Sequence, residues 1–158
     1  MHKITDFLVL HNIRIDLSAK DKDELIFKMV NLSCNDTNSD LTKIKEVVEE
    51  REEIFSTGIG RGVAIPHCKT NLIQGNKLAL AILQTPVDYN SNDKVPVNIV
   101  FILISNDELL DVHLKLLSRI CRLIAHSEFK ERLISAITTE EIFDIIQQEE
   151  NKISNERK

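Results

Sequence analysis

The sequence predicts an α/β domain: a central mixed β-sheet flanked by helices on both faces, three layers in all. Three features point to it. Residues Lys77 to Leu83 and Val97 to Ile104 are nearly continuous apolar runs, the mark of strands covered on two faces. Segments of helical periodicity stand before and after these runs, so helices are available for both faces. A chain of 158 residues with 42% hydrophobic content is long and apolar enough for one domain with a real core.

Taken in order, a short strand is expected around Ile13 to Leu17. A helix follows, with Ser18 as its N-cap and Leu25, Met29 and Leu32 as its apolar row. Asn35 to Ser39 is a polar turn cluster, and a second helix begins near Asp40. The apolar row of that helix is Leu41, Ile44, Val48, Arg51 and Phe55, in which Arg51 is the only polar member. A charge on a buried row needs a partner, unless its stem covers apolar surface while its head reaches water. Periodicity leaves both readings open. Val63-Ala64-Ile65 reads as a short buried strand, and Pro96, after the polar turn 90–94, can only open its strand or sit at an edge.

The next helix, roughly Glu108 to His126, carries two adjacent apolar rows. One is Leu110, Leu114, Leu117, Cys121 and Ile124; the other is Leu109, His113, Leu116, Ile120 and Leu123, with His113 the odd member. Ser127 is placed to cap a short helix containing Phe129, Leu133 and Ile137. Thr138 and Glu141 form a capping box for a last helix carrying Ile142, Ile145 and Ile146. A single domain over 1–148 is expected, with a charged, frayed tail over 149–158.

Composition excludes several functions. A net charge of −5 argues against nonspecific binding to nucleic acid or to an anionic membrane. The apolar runs are too short to span a bilayer, and the acidic start is unlike a signal peptide, so a cytoplasmic protein is expected. Cysteines 34, 68 and 121 are odd in number and without a Cys-x-x-Cys pair, which speaks against a disulfide framework or structural zinc. No metal or other cofactor is expected.

The chemistry concentrates in Ser56-Thr57-Gly58-Ile59-Gly60-Arg61-Gly62-Val63-Ala64-Ile65-Pro66-His67. Three of the four glycines of the chain lie there. Pro66 stiffens the approach to His67, and the glycines let backbone come close to a ligand. An imidazole so presented can bind a metal, transfer a proton or carry a phosphoryl group, since a neutral nucleophilic nitrogen exists at cell pH. It can also be a loop histidine bonded to a carbonyl. His113 is more often a satisfied core residue, although its place in the first turns of a helix favours anions nearby.

Rival chemistries fit less well. His67, Cys68 and His113 lack any recognised metal-ligand spacing. A Cys68–His113 hydrolase dyad is opposed by the alternation of side chains, which sends His67 and Cys68 to opposite faces. No Gly-Lys-Ser/Thr follows the glycines, so a nucleotide loop fails too. A phosphoryl-accepting histidine stands ahead of these rivals.

The segment from Ser56 to Cys68, preceded by Arg51-Glu52-Glu53, resembles the active-site signature of type-2 IIA domains of the bacterial phosphoenolpyruvate-dependent phosphotransferase system. These are the fructose, mannitol and nitrogen-regulatory IIA proteins. His113-Leu114-Lys115-Leu116-Leu117-Ser118-Arg119 resembles the family's second histidine helix, and the order of elements agrees over residues 4 to 147. The resemblance implies a phosphocarrier in which His67 accepts phosphate from HPr or an HPr-like protein. It then passes the group to a IIB domain or holds it as a signal for a regulatory target. His113 then supplies a donor to the phosphoryl group and Arg51 electrostatic support, while Ser56 and Thr57 close the turn. A stand-alone nitrogen-regulatory component is the first expectation, because no fused module is visible. Fructose- or mannitol-type sugar uptake is the second, and a protein-binding module without phosphoryl turnover the third. Two departures stand out: Cys68 places a reactive thiol beside the site, and Asn92-Asp93-Lys94 lacks the family's Asp-Gly turn, so a different hairpin is expected there.

Overall fold

The computed structural model describes residues 2–36 and 38–157; Thr37, inside the expected polar turn, and Lys158, in the expected tail, lie outside the described residues, as does Met1. Among the described residues, after two short 3-10 turns (Ile4–Asp6 and Leu10–Asn12), six strands and five α-helices run in the order β1 (Ile13–Leu17), α1 (Lys22–Ser33), α2 (Leu41–Ile54), β2 (Gly58–Gly60), β3 (Val63–Ala64), β4 (His67–Lys69), β5 (Asn76–Val87), β6 (Val97–Ser105), α3 (Leu110–Ile124), α4 (Ser127–Ser135) and α5 (Thr139–Glu156). The strands form one mixed sheet in the order β1-β5-β6-β3-β2, with β4 also on β6. β5 and β6 are antiparallel, whereas β1 lies parallel to β5 and β3 and β4 lie parallel to β6.

Alternation along β5 and β6 divides the core in two. Leu78, Leu80, Ile82, Ile99, Phe101 and Leu103 meet Leu116, Ile120, Phe129 and Ile142 on the face covered by α3, α4 and α5. Ala79, Ala81, Val100, Ile102 and Ile104 meet Leu25, Met29, Ile44 and Val48 of α1 and α2 on the other. The three-layer architecture follows, with both central strands sealed on two sides. Among the described residues no helix is long and apolar enough to cross a membrane.

Several local expectations change. The cap of α1 is Asp21, whose carboxylate accepts from Glu24 N at 2.9 Å, and not Ser18. α2 begins near Asp40 as expected, and the Asp40 carboxylate caps it by accepting from Thr42 N and Lys43 N. The C-terminal end of the α2 row is not buried: Phe55 is 61% exposed, and Arg51 is half-buried. Of the two rows on α3, only the one bearing His113, Leu116, Ile120 and Leu123 faces the sheet together with Ile124. Leu110, Leu114 and Cys121 face outward, because one sheet surface covers one stripe of a helix. His126, with no side-chain bond, occupies the cap position of α4, and Ile137 is left exposed after it. Thr138 Oγ1 accepts from Glu141 N at 3.1 Å, while Glu141 reaches back to Ile137 N at 3.0 Å, one residue beyond a capping box.

The expected frayed tail is a correction. α5 continues to Glu156 because Glu150 and Ile153 are buried. Glu150 accepts from Ile4 N at 2.8 Å, and from Thr5 N and Thr5 Oγ1 at 3.1 Å each. Of the charges in this last stretch of α5, Lys152 and Glu156 lie on its exposed face, whereas Glu150 faces inward. Glu150→Ala strands two backbone donors at the N-terminal segment, and is expected to lower unfolding free energy by about 2–3 kcal/mol in urea titrations. A loss below about 0.5 kcal/mol would mean that water replaces the carboxylate there.

The site-bearing line of the sheet is β3 followed by β4. Both pair with β6 in a single uninterrupted register, Val63 with Ile99 through Lys69 with Ser105. Pro66 breaks the ladder on its donor side only: its carbonyl still accepts from Leu103 N at 3.1 Å. Ile65 N turns the other way, to Thr57 O at 2.9 Å. The strand therefore delivers His67 at a fixed height above the end of the α3 face.

Candidate functional site

Parity places His67 on the same side of the sheet as Val63 and Ile65, the side on which α3 packs. His113, one turn into α3, sits there too, and the two imidazole centroids are 5.7 Å apart with planes tilted by 51°. Each ring is anchored through Nδ1. His67 Nδ1 lies 2.7 Å from the Ile65 carbonyl, and His113 Nδ1 lies 2.8 Å from Ser105 Oγ. A carbonyl only accepts, so His67 carries its proton on Nδ1 and leaves an Nε2 lone pair. Among the described residues neither Nε2 has a hydrogen-bond partner, and neither is a sealed atom, so both retain solvent contact.

Burial pushes both imidazoles below their ordinary 6.5. For His67 the Arg51 guanidinium adds to the depression, while the Ile65 carbonyl and Glu52 oppose it. For His113 burial leads, His67 and Lys69 add to it, and the result is about 4. Both rings are neutral at neutral pH. The unfolded chain takes up protons below about 6.5 that folded His113 refuses until about 4, so stability falls on acidification through that window. His113→Gln is expected to reduce the loss between pH 7 and 4.5 by roughly 1–2 kcal/mol in denaturation curves; an unchanged loss would remove His113 from the acid response.

Arg51, the third residue singled out, sits in the last turn of α2. Its Nη1 donates to Phe55 O at 3.0 Å, satisfying a carbonyl at the helix end. It shares the electrostatic field of His67 without being bonded to it. Lys69 was not legible as a site residue. It lies two residues beyond His67 on the same strand face, opposite Ser105, and is exposed. Its signal was the alternation of β4, visible only once that stretch is known to be a strand. Cys68 points the opposite way, into the core under α1 and α2, 4% exposed. Burial pushes its thiol up to about 12, so it is no reactive neighbour of the site.

A second buried cluster, unread in the sequence, holds the loop that enters this strand. Glu52 accepts from Thr57 N at 3.2 Å, from the Thr57 hydroxyl, and from Tyr89 OH at 2.9 Å. Lys22 Nζ completes the set at 2.9 Å from Glu52 and stands 4.4 Å over the Tyr89 ring. Gly58 follows directly; a Cβ there would collide with Ser91 Oγ and come within 3.0 Å of the Tyr89 ring. Gly60 to Gly62 then turn back with three consecutive positive φ angles, Arg61 included. Asp93 secures that turn, accepting from Arg61 N at 2.9 Å and Val95 N at 3.1 Å in place of an Asp-Gly hairpin.

Among the described residues no three His, Cys, Asp or Glu side chains converge to hold a metal ion. A cavity of about 780 Å³ bounded by Lys22, Glu52, Ile54, Phe55, Ser56 and Asn92 contains neither histidine. The pair thus holds a bare Nε2 on half-buried His67 beside a second neutral ring.

Comparison with known proteins is consistent along the chain. The family described as phosphoenolpyruvate-dependent sugar phosphotransferase system, EIIA 2, matches residues 6–149. A fructose-specific EIIABC component of the phosphotransferase system from Bacillus subtilis is 35% identical over 147 residues, 92% of this chain; the chain spans 23% of that protein's length. A nitrogen regulatory protein from Pseudomonas aeruginosa is 31% identical over 84% of this chain and 86% of its own. The crystal structure of the nitrogen regulatory protein IIA-Ntr from Neisseria meningitidis superposes with a TM-score of 0.86 at 27% identity, over 90% of this chain and 98% of that one.

Proposed function

The chain belongs to the type-2 IIA family of the phosphoenolpyruvate-dependent sugar phosphotransferase system, and on that footing we propose that it is a phosphocarrier whose acceptor is Nε2 of His67. The observation that carries this is the bond from His67 Nδ1 to the Ile65 carbonyl, which commits the other nitrogen to nucleophilic work. The donor is a phosphohistidine on HPr or an HPr-like protein. The His67 Nε2 lone pair attacks phosphorus in line, the donor's P–N bond breaks, and its electron pair returns to the donor nitrogen. His67 keeps its Nδ1 proton throughout, steadied by the carbonyl, so no base is required.

His113 gives a hydrogen bond to the transferring group, and Arg51 and Lys69 lend positive potential to its oxygens. Exposed Leu110 and Leu114, three residues before and one after His113, suit an apolar contact with a protein partner. Neither ring lines the cavity of about 780 Å³, which favours delivery by a macromolecule over capture of a small substrate.

The relay we favour is nitrogen-regulatory, supported by the close superposition on IIA-Ntr. In that reading the phosphorylated and free forms differ in affinity for a regulatory target. Sugar uptake through a IIB domain is the second reading, favoured by the fructose-specific relative. Incubation with phosphoenolpyruvate, enzyme I and HPr is expected to place one acid-labile phosphoryl group on the protein and none on His67→Ala. Equal labelling of that variant, or none of the wild type, would overturn the carrier reading. Rapid discharge on adding a fructose-type IIB domain would select uptake over regulation.

A further inference from the structure

Resting on the phosphocarrier reading, a residue outside the family resemblance draws attention. Ser105 ends β6 on the α3 face of the sheet and is fully buried. Its hydroxyl has one hydrogen-bond partner among the described residues, Nδ1 of His113 at 2.8 Å. Two proton arrangements fit that distance. If His113 carried its proton on Nδ1 and donated to Oγ, the serine's own proton would be buried without an acceptor, which is costly. If the serine donates to a bare Nδ1, every proton is used. The neutral ring must then hold its one proton on Nε2, the nitrogen that keeps solvent contact.

We propose that Ser105 is a positioning residue that fixes His113 as the Nε2–H tautomer, so that the ring next to His67 is a hydrogen-bond donor before any phosphoryl group arrives. The two imidazoles are thereby made opposite in kind. An acceptor-only carbonyl gives His67 a bare Nε2, while a buried donor with no alternative gives His113 a protonated one. A donor oriented in advance needs no proton movement during transfer. Burial of His113 supports the arrangement by keeping the ring neutral at neutral pH.

Two-bond proton–nitrogen correlation on histidine-labelled protein at pH 7 reads the tautomer directly. His113 is expected to show a bare Nδ1 and a protonated Nε2; a protonated Nδ1 overturns the proposal whatever the transfer rates. In Ser105→Ala the two forms are expected to mix, and phosphoryl uptake from phospho-HPr to slow about 10-fold, the scale on which partners behind a functional imidazole act. Ser105→Thr, which retains the hydroxyl, restores both. A folded Ser105→Ala that keeps the single tautomer and the full rate overturns the proposal as well. Failure of the carrier reading looks different: the wild type shows the Nε2–H form but takes up no phosphoryl group.

Discussion

His113→Ala is expected to accept a phosphoryl group from phospho-HPr about 10²–10³ times more slowly than the wild type, the usual effect of removing one preorganised donor from a site of charge transfer. Quenched-flow labelling of His67 measures it. The final extent of labelling should hold, because His67 and its carbonyl anchor are untouched. His113 is also a core residue, 4% exposed, so loss of packing has to be separated from loss of the donor. His113→Gln serves for this: its amide oxygen can accept from Ser105 while its N–H₂ faces the gap, so it should recover stability and part of the rate. A folded His113→Ala variant with the wild-type rate would reduce His113 to a packing residue.

Glu52→Ala is expected to destabilise the fold by about 3–5 kcal/mol, the cost of removing one partner from a buried ion pair. Its carboxylate is the shared acceptor for Thr57 N, the Thr57 and Tyr89 hydroxyls, and the Lys22 ammonium. Alanine removes the acceptor that all four share: Thr57 N and the Lys22 ammonium lose it outright, while the two hydroxyls, 3.0 Å apart, keep only each other. Denaturant titration gives the magnitude, and hydrogen exchange at Thr57 and Gly58 should rise beyond the global change, since that loop loses its anchor. Glu52→Gln should be milder in packing yet still costly, because an amide brings a donor to a site surrounded by donors. A loss under about 1 kcal/mol would show that the loop is held by Gly58 packing alone.

Much of the domain was legible in the chain. The two apolar runs became the doubly covered centre of the sheet, and the starts of α2 near Asp40 and of α5 at Thr138 were read correctly. The misreadings share a cause. Ser18, the outer row of α3 and the tail after 148 were judged by local composition, whereas Asp21, the single sheet face and the Glu150–Thr5 contact decided them. Arg51 looked like a buried misfit because the periodicity of α2 carried past the point where the layer beneath it ends.

For the site, the sequence by itself determined which residue is the candidate nucleophile. Pro66-His67 and its glycines are consecutive, and a tight turn writes its requirements into neighbouring positions. It also marked His113, since one imidazole in a row of leucines breaks an otherwise uniform pattern. Only the tertiary structure decided how these groups are protonated and held. The Ile65 carbonyl, the Ser105 hydroxyl, the Lys69 charge and the Glu52 cluster act on them across the sheet and its flanking helices. A hydrogen bond between residues distant in sequence leaves no periodic trace; it exists once folding brings a buried donor to the one acceptor within its reach.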